Sequence, residues 1–428
     1  MRDHPDRKTI SAELHARPFE SLSAPLRASH LALLGGSPEA DLDHVRRLCA
    51  AMNRAEPRRE ATHHSVDLGP FRLRWERHTE FSTYTFFETD LQPPGEDPFA
   101  RRALEQVPED WLARTPGELV AATHLVLEPP EWPERSIRQT LDLFGTENVA
   151  GSNVADAGAV LFTDFRLHDD GFGRVLVRIR DLPSRRTGRL VQRILELETY
   201  RLMALLAFPL ARQTTTDLTR LDTRLRAITD RMSQRSGLED EQALLSELSG
   251  LAGELERITA LNSFRLSAAR AYRRLVEHRI ANLREERLSD LQTIGEFMER
   301  RFSPAMRTCE SVAIRQDALS QRLSRAAELL RTRVDVALEA QNRDLLASMN
   351  RRTDLQLRLQ QTVEGLSVVV LSYYSTGLLA HGLRGGKAAG IPINVDLVVG
   401  VSVPFVVAGV WLLVRYMRRR LIGRSELG

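Results

Sequence analysis

Glu76, His78 and Glu80 stand at alternate positions of the chain. If the backbone stays extended there, all three side chains leave one face of a strand. Two carboxylates and an imidazole on one face could hold a divalent cation. A turn at His78-Thr79 would break the set, and charges on an exposed strand need no ligand. No cofactor is therefore required, and a divalent cation is the one these residues could serve. A second pattern lies near the C-terminus, where Ser367, Tyr374 and His381 recur every seven residues and Ser372, Ser375 and Thr376 add hydroxyls. Asp396 follows in the next apolar stretch. Polar groups at membrane depth face a bundle interior or a water-filled path, which makes Ser367, Tyr374, His381 and Asp396 pore-lining candidates. Serine and threonine also bond back to their own helix, so a packing face explains the same pattern.

Other signals fail their own tests. Gly171-Phe172-Gly173-Arg174 lacks the third glycine of a dinucleotide loop, and Ala388 after Gly386-Lys387 stands where a phosphate loop needs Ser or Thr. No HExxH, GxSxG or Cys–His zinc spacing occurs, and an enzyme is not expected. Cys49 and Cys309 are far apart, which fits a reducing compartment. Of 60 basic residues only Lys8 and Lys387 are lysines. Exposed arginines read as a solvated face, so no nucleic-acid partner is expected. The string Leu14 to Glu20 contains Arg17-Pro18, which disfavours helix. It either clamps a partner or docks the terminus on its own domain.

The elements that would position these residues fall into six stretches. Residues 1–187 mix strand and helix signals and form an N-terminal α/β domain. Strands are expected at Ser29–Leu34, Phe71–Trp75, Phe81–Phe87, Leu119–Leu127, Ala159–Phe165 and Arg174–Arg180, with helices at Glu39–Asn53 and Glu134–Phe144. Residues 188–364 read as a long, coiled-coil-like helical stalk. A Thr-rich joint is expected at Gln213–Asp217. The helix after it runs from Leu244 to Met298, and a new one starts at Ser303-Pro304 and continues for about 80 residues. Residues 365–383 and 395–414 are apolar enough to be two transmembrane helices, joined by the loop 384–394. At a 1.5 Å rise, 19 residues span roughly 28 Å, about a bilayer core. The tail 415–428 carries Arg415, Arg418, Arg419, Arg420 and Arg424 and should stay in the cytoplasm. Two spans then return the N-terminal domain there as well, and the start of the chain shows no apolar signal segment. Mean hydropathy is −0.28 with 27% charged residues, so most of the chain faces water. The fold class is α+β, ending in a two-helix transmembrane hairpin.

Four strings together resemble an uncharacterised proteobacterial family of predicted membrane-anchored proteins: Glu13 to Glu20, Arg74 to Phe87, Gly188 to Pro209 and Glu364 to Leu379. The resemblance covers nearly the whole chain and implies a bacterial inner-membrane protein of no established activity. The layout is also similar to the CorA-type magnesium channels, in which a soluble α/β domain leads into a long helix and two spans. That likeness implies a homo-oligomer whose long helices line a pore, with ion transport as its function. Here Ala380-His381-Gly382-Leu383-Arg384 stands where those channels carry Gly-Met-Asn. The alternative is a membrane-anchored scaffold or sensor that binds a cytoplasmic protein partner and transports nothing. The lipid bilayer is a partner in either reading.

Overall fold

A computed structural model describes residues 3–4, 7, 19–89, 91, 97–234, 237–388 and 394–422, with backbone alone at 387–388 and 418–422. Leu14 to Pro18, residues 389–393 of the loop between the apolar stretches, and Arg424 lie outside the described residues. The chain divides into two compact units. Met1–Arg235 with Leu244–Ala327 forms one, and Ser236–Ala243 with Glu328–Gly428 the other.

The first unit is built on nine strands: β1 (Leu26–Leu34), β2 (His63–Asp67), β3 (Arg72–Arg77), β4 (Phe81–Thr89), β5 (Glu118–Glu128), β6 (Ala150–Val154), β7 (Ala159–Thr163), β8 (Gly173–Ile179) and β9 (Glu286–Arg287). They lie in the order β2-β3-β4-β1-β5-β8-β7-β6-β9. Only β5 and β8 pair in parallel; every other neighbour is antiparallel. Mostly antiparallel pairing with helices to the sides makes this α+β, as the sequence predicts.

Strand β3 explains how the sheet serves two faces. Leu73 and Trp75 alternate with Arg74 and Glu76, and a period of two sends them to opposite sides. The apolar set joins Leu31, Tyr84 and Phe86 in one core with Val45 and Leu48 of α1 (Pro38–Ala51). Ser37 caps α1 by accepting from the Ala40 N–H at 3.1 Å. Two short helices follow, α2 (Glu109–Leu112) and α3 (Ile137–Phe144). Helix α3 starts later than expected because Ser136 and Gln139 close a capping box there. The polar side of β3 is only partly open to solvent; α4 (Ser184–Leu205) lies on the same side of the sheet and touches β1 through His30–Thr199 and β4 through Phe81–Tyr200.

The helices correct three expectations. The Thr-rich joint is absent: α5 (Ala207–Met232) runs through it. Thr214 and Thr215 donate to the carbonyls of Leu210 and Ala211, each at 2.8 Å, so their hydroxyls serve the helix instead of breaking it. The interruption comes earlier, at Leu206, because Pro209 has no N–H for the Leu205 carbonyl. Next, α6 (Leu238–Leu283) does not continue to Met298. Arg284 takes φ of 49°, which ends the helix, and β9 follows, with Ser289 at φ 52° beyond it. Last, α7 (Ile294–Ala388) begins ten residues before Pro304, not at it. Buried Phe302, Ala305 and Met306 hold the helix together around the proline. Thr293 and Glu296 cap its start reciprocally, at 3.2 and 3.0 Å.

Within the first unit α5, α6 and the early part of α7 form a bundle. Arg220 and Arg224 reach Glu254, Arg322 reaches Asp222, and Arg273 reaches Glu310. Beneath these pairs Leu218, Leu221 and Leu225, Leu248, Leu251 and Leu255, and Val312 and Leu319 are buried, the 3/4 spacing of coiled-coil-like packing. The second unit holds the rest of α7 and α8 (Val395–Ile422). Both helices are long and apolar enough to cross a membrane: their best 18-residue windows have mean hydropathy 1.3 and 2.5, with 6% and 0% buried. Helix α7 extends to Ala388, five residues past the expected end of the first span.

Candidate functional site

A cavity of about 260 Å³ lies between the polar face of β1, β3 and β4 and the facing side of α4, with Arg279 of α6 at its wall. Its floor is one row across the sheet: His30 pairs with Thr85, and Thr85 with Arg74. His30 is buried and bridges sheet to helix. Its Nδ1 lies 2.8 Å from Thr85 Oγ1 and its Nε2 3.0 Å from Thr199 Oγ1. Thr199 donates its single hydroxyl proton to the Leu195 carbonyl at 2.9 Å. It must therefore accept from His30, which places the ring proton on Nε2 and makes Nδ1 an acceptor for Thr85. Burial pushes this imidazole down to about 3, helped by the positive field of His78 and Arg74, so the ring is neutral.

Two guanidinium–carboxylate pairs face the same space. Arg74 donates to Glu76 at 2.8 Å. Arg279 donates to Glu196, whose other oxygen accepts from Gln192 at 2.9 Å. Thr83 and Tyr200 add hydroxyl groups, and His78 stacks on Phe81 with centroids 4.3 Å apart. The wall therefore offers both charge signs within a few ångströms. It can meet an amine and a carboxylate at once, while its aromatic rings accept an apolar stem.

The segment before β1 closes over this region. Phe19 sits beneath Arg189 and Arg185, 4.9 and 5.8 Å from its centroid. Glu20 pairs with Arg72 at 3.3 Å and accepts from Ser65. The backbone passes so near α4 that a Cβ on Gly188 would lie 1.7 Å from the Glu20 carbonyl oxygen. Only glycine admits that crossing. The described end of the Leu14-to-Glu20 string thus docks on its own domain.

The expected metal set is not gathered. Strand β3 ends at Arg77 and the turn sends the three groups apart. Glu76 goes to Arg74 and His78 to Phe81, whereas Glu80 meets the Tyr272 hydroxyl and lies 3.1 Å from Arg265. Among the described residues no three His, Cys, Asp or Glu side chains are placed to share an ion. The four pore-lining candidates lie in the second unit. Ser367 Oγ donates to the Val363 carbonyl at 2.8 Å, and His381 Nδ1 lies 2.9 Å from the Gly377 oxygen. Tyr374 points outward, and Asp396 sits in the first turn of α8, where a carboxylate suits the helix dipole. Within one chain Ser367 and His381 bond to carbonyls of their own helix.

Sequence reasoning missed a buried relay as well. Ser29 Oγ lies 2.9 Å from His124 Nδ1, and His124 Nε2 lies 3.8 Å from Asp170. The order resembles a nucleophile, base and acid. However, Ser29 has no exposed surface, and its oxygen accepts the Leu104 N–H at 3.2 Å. It holds the turn at Leu104 against β1.

Three of the four strings that carry the family resemblance meet at the cavity: the end of Glu13 to Glu20, then Arg74 to Phe87, then Gly188 to Pro209. A family model described as "Protein of unknown function (DUF3422)" matches residues 2–421. The chain belongs to the DUF3422 family. No curated protein matches this DUF3422 chain. Among solved structures, the one described as "structure of the full-length CmaX protein" is 15% identical, over 70% of this chain and 89% of that one, with a TM-score of 0.15. A likeness that slight carries no argument about the DUF3422 fold or its assembly.

Proposed function

We propose that this DUF3422 protein is a membrane-anchored sensor whose water-side unit binds a small zwitterionic solute and passes that state to a cytoplasmic protein partner. One observation carries the reading: the cavity presents Arg74–Glu76 and Arg279–Glu196 around neutral hydroxyls and rings. At about 260 Å³ it is slightly below the usual range of roughly 300–1,000 Å³, which suits a ligand of amino-acid size. In this reading the protein sits in the bacterial inner membrane with both termini in the cytoplasm, because the arginines beyond the second apolar helix favour that side. The test is a thermal-shift screen of the full chain in detergent against amino acids and dipeptides. A stabilising solute should emerge, and Glu196→Gln with Arg74→Gln should abolish its effect. Failure of every zwitterion, or a shift indifferent to both substitutions, removes the proposal.

A second reading, ion transport by a CorA-like homo-oligomer, is favoured by a different observation. Leu345 and Met349, and further on Leu359, Val363, Leu366 and Val370, follow 3/4 spacing in two runs along α7, and each is more than 40% exposed in the single chain. A parallel second copy would cover this stripe, since one anchored in the same membrane runs the same way. Counting subunits and measuring ion flux in liposomes tests it. Tyr374→Ala should change the flux, and a monomer without flux would end this reading.

A further inference from the structure

A second cavity, of about 450 Å³, opens in the first unit between the end of β7, the C-terminal part of α4 and the first turns of α7. Three arginines border it, Arg166, Arg201 and Arg301. Phe165 and Phe297 pack with centroids 4.6 Å apart, and each ring carries a guanidinium. Arg201 lies 5.1 Å from the Phe165 centroid and Arg301 5.5 Å from that of Phe297. A guanidinium held by a ring face keeps its N–H groups for another acceptor. Arg201 gives one nitrogen to Glu198 at 2.7 Å, yet its Nε is buried with no acceptor. Arg166 and Arg301 are exposed and form no ion pair among the described residues. The carboxylate on the wall, Asp164, accepts the Arg166 N–H at 3.2 Å through one oxygen; the other lies 3.2 Å from His168 Nε2 without a hydrogen bond. Phe165 sits at φ 56°, a left-handed conformation rare for an aromatic residue. That backbone is retained where Phe165 and Arg166 join the wall, and such outliers cluster at ligand clamps.

We propose that this cavity binds a phosphate-bearing molecule, with the phosphate on Arg166, Arg201 and Arg301 and its flat or apolar remainder against Phe165 and Phe297. Convergent guanidiniums match a phosphate, whose three oxygens accept in forks. The volume exceeds what a bare phosphate fills, so an organic remainder belongs to the ligand. A soluble phosphate ester and a phospholipid headgroup share this chemistry. The site is separate from the zwitterion cavity, and the two proposals fail independently.

The test is isothermal titration calorimetry of the full chain in maltoside micelles with inorganic phosphate, adenosine monophosphate and adenosine. A second arm dopes the micelles with phosphatidylglycerol. Adenosine monophosphate should bind more tightly than inorganic phosphate, and adenosine should not bind. Arg166→Gln and Arg301→Gln should each weaken binding about tenfold or more, the loss of a charge-assisted hydrogen bond. Both positions are exposed, and an unchanged circular-dichroism melt confirms that the variants fold. A response to phosphatidylglycerol alone, weakened by the same substitutions, supports the site and names the headgroup as its source. No binding of any phosphate-bearing probe, adenosine binding as tightly as its monophosphate, or affinities unchanged in both variants would overturn the proposal.

Discussion

His30 shows how one buried side chain sets a measurable property of the molecule. In the unfolded chain its imidazole takes a proton near pH 6.5; in the fold it stays neutral down to about 3. The stability this group provides is complete above pH 6.5 and declines as pH falls toward 3, by about 1.4 kcal/mol per pH unit while the unfolded state alone is protonated. His44 and His124, both pushed down to about 4 by burial, act with the same sign over a shorter window. Asp41, whose carboxyl burial raises, works with the opposite sign, in a window that starts at its ordinary value and extends upward from there. Denaturant titration followed by tryptophan fluorescence should therefore find the protein more stable at pH 7 than at pH 5. His30→Asn should remove about one proton from the slope in that interval. A slope that the substitution leaves untouched would contradict the neutral assignment.

At the scale of elements, the antiparallel contact of α5 and α6 is set by a polar pair in an otherwise apolar seam. Asn262 donates to Thr214 Oγ1 at 2.7 Å, both buried, while Thr214 spends its own proton on Leu210. Thr214→Val leaves the amide without an acceptor and should cost about 1–3 kcal/mol. Adding Asn262→Leu should recover most of the loss, and chemical denaturation of the two variants decides it. If the double variant were no better than the single, the cost would come from packing. The same helices mark the limit of what was legible in the sequence. Strands β3, β4, β5, β7 and β8 are readable from alternation or from β-branched and aromatic residues, and β1 from its short, largely apolar run. Strand β2 is mostly polar, β6 is Ala-Gly-Ser-Asn-Val, and β9 has two residues; neighbouring ladders hold these, so their own propensities say little. The threonines of α5 misled because a hydroxyl's choice between turn and helix depends on which carbonyl is near. Pro304 misled because packing on both sides of it outweighs its lost hydrogen bond. Arg74, Glu76 and His78 were visible as polar residues on one strand. The second ion pair at the cavity, Glu196 with Arg279, comes from α4 and α6, beyond the reach of spacing along the chain.

For the whole molecule, the consequential surface is the one that stays uncovered. The apolar windows of α7 and α8 are 6% and 0% buried. Covering large side chains such as Leu366, Tyr373, Phe405 and Trp411 yields roughly 1.5–3 kcal/mol for each aliphatic or aromatic group removed from water. The full chain should therefore stay with membranes through an alkaline carbonate wash and leave them only in detergent. Recovery in the washed supernatant would mean that something other than lipid covers these helices.

The connection from α6 to α7 has a mechanical meaning. Glu285 accepts from Ser152 of β6 at 3.0 Å and from the Ile294 and Gly295 N–H groups at 2.9 and 2.8 Å. Beside it β9 pairs with β6, and Gly151 donates to the Gln292 carbonyl at 3.0 Å. Greasy helix contacts slip by a rotamer at little penalty, but directional bonds resist twisting. A twist of the first turn of α7 should therefore be felt at the rim of the sheet, through Glu285 and the β9–β6 pairing.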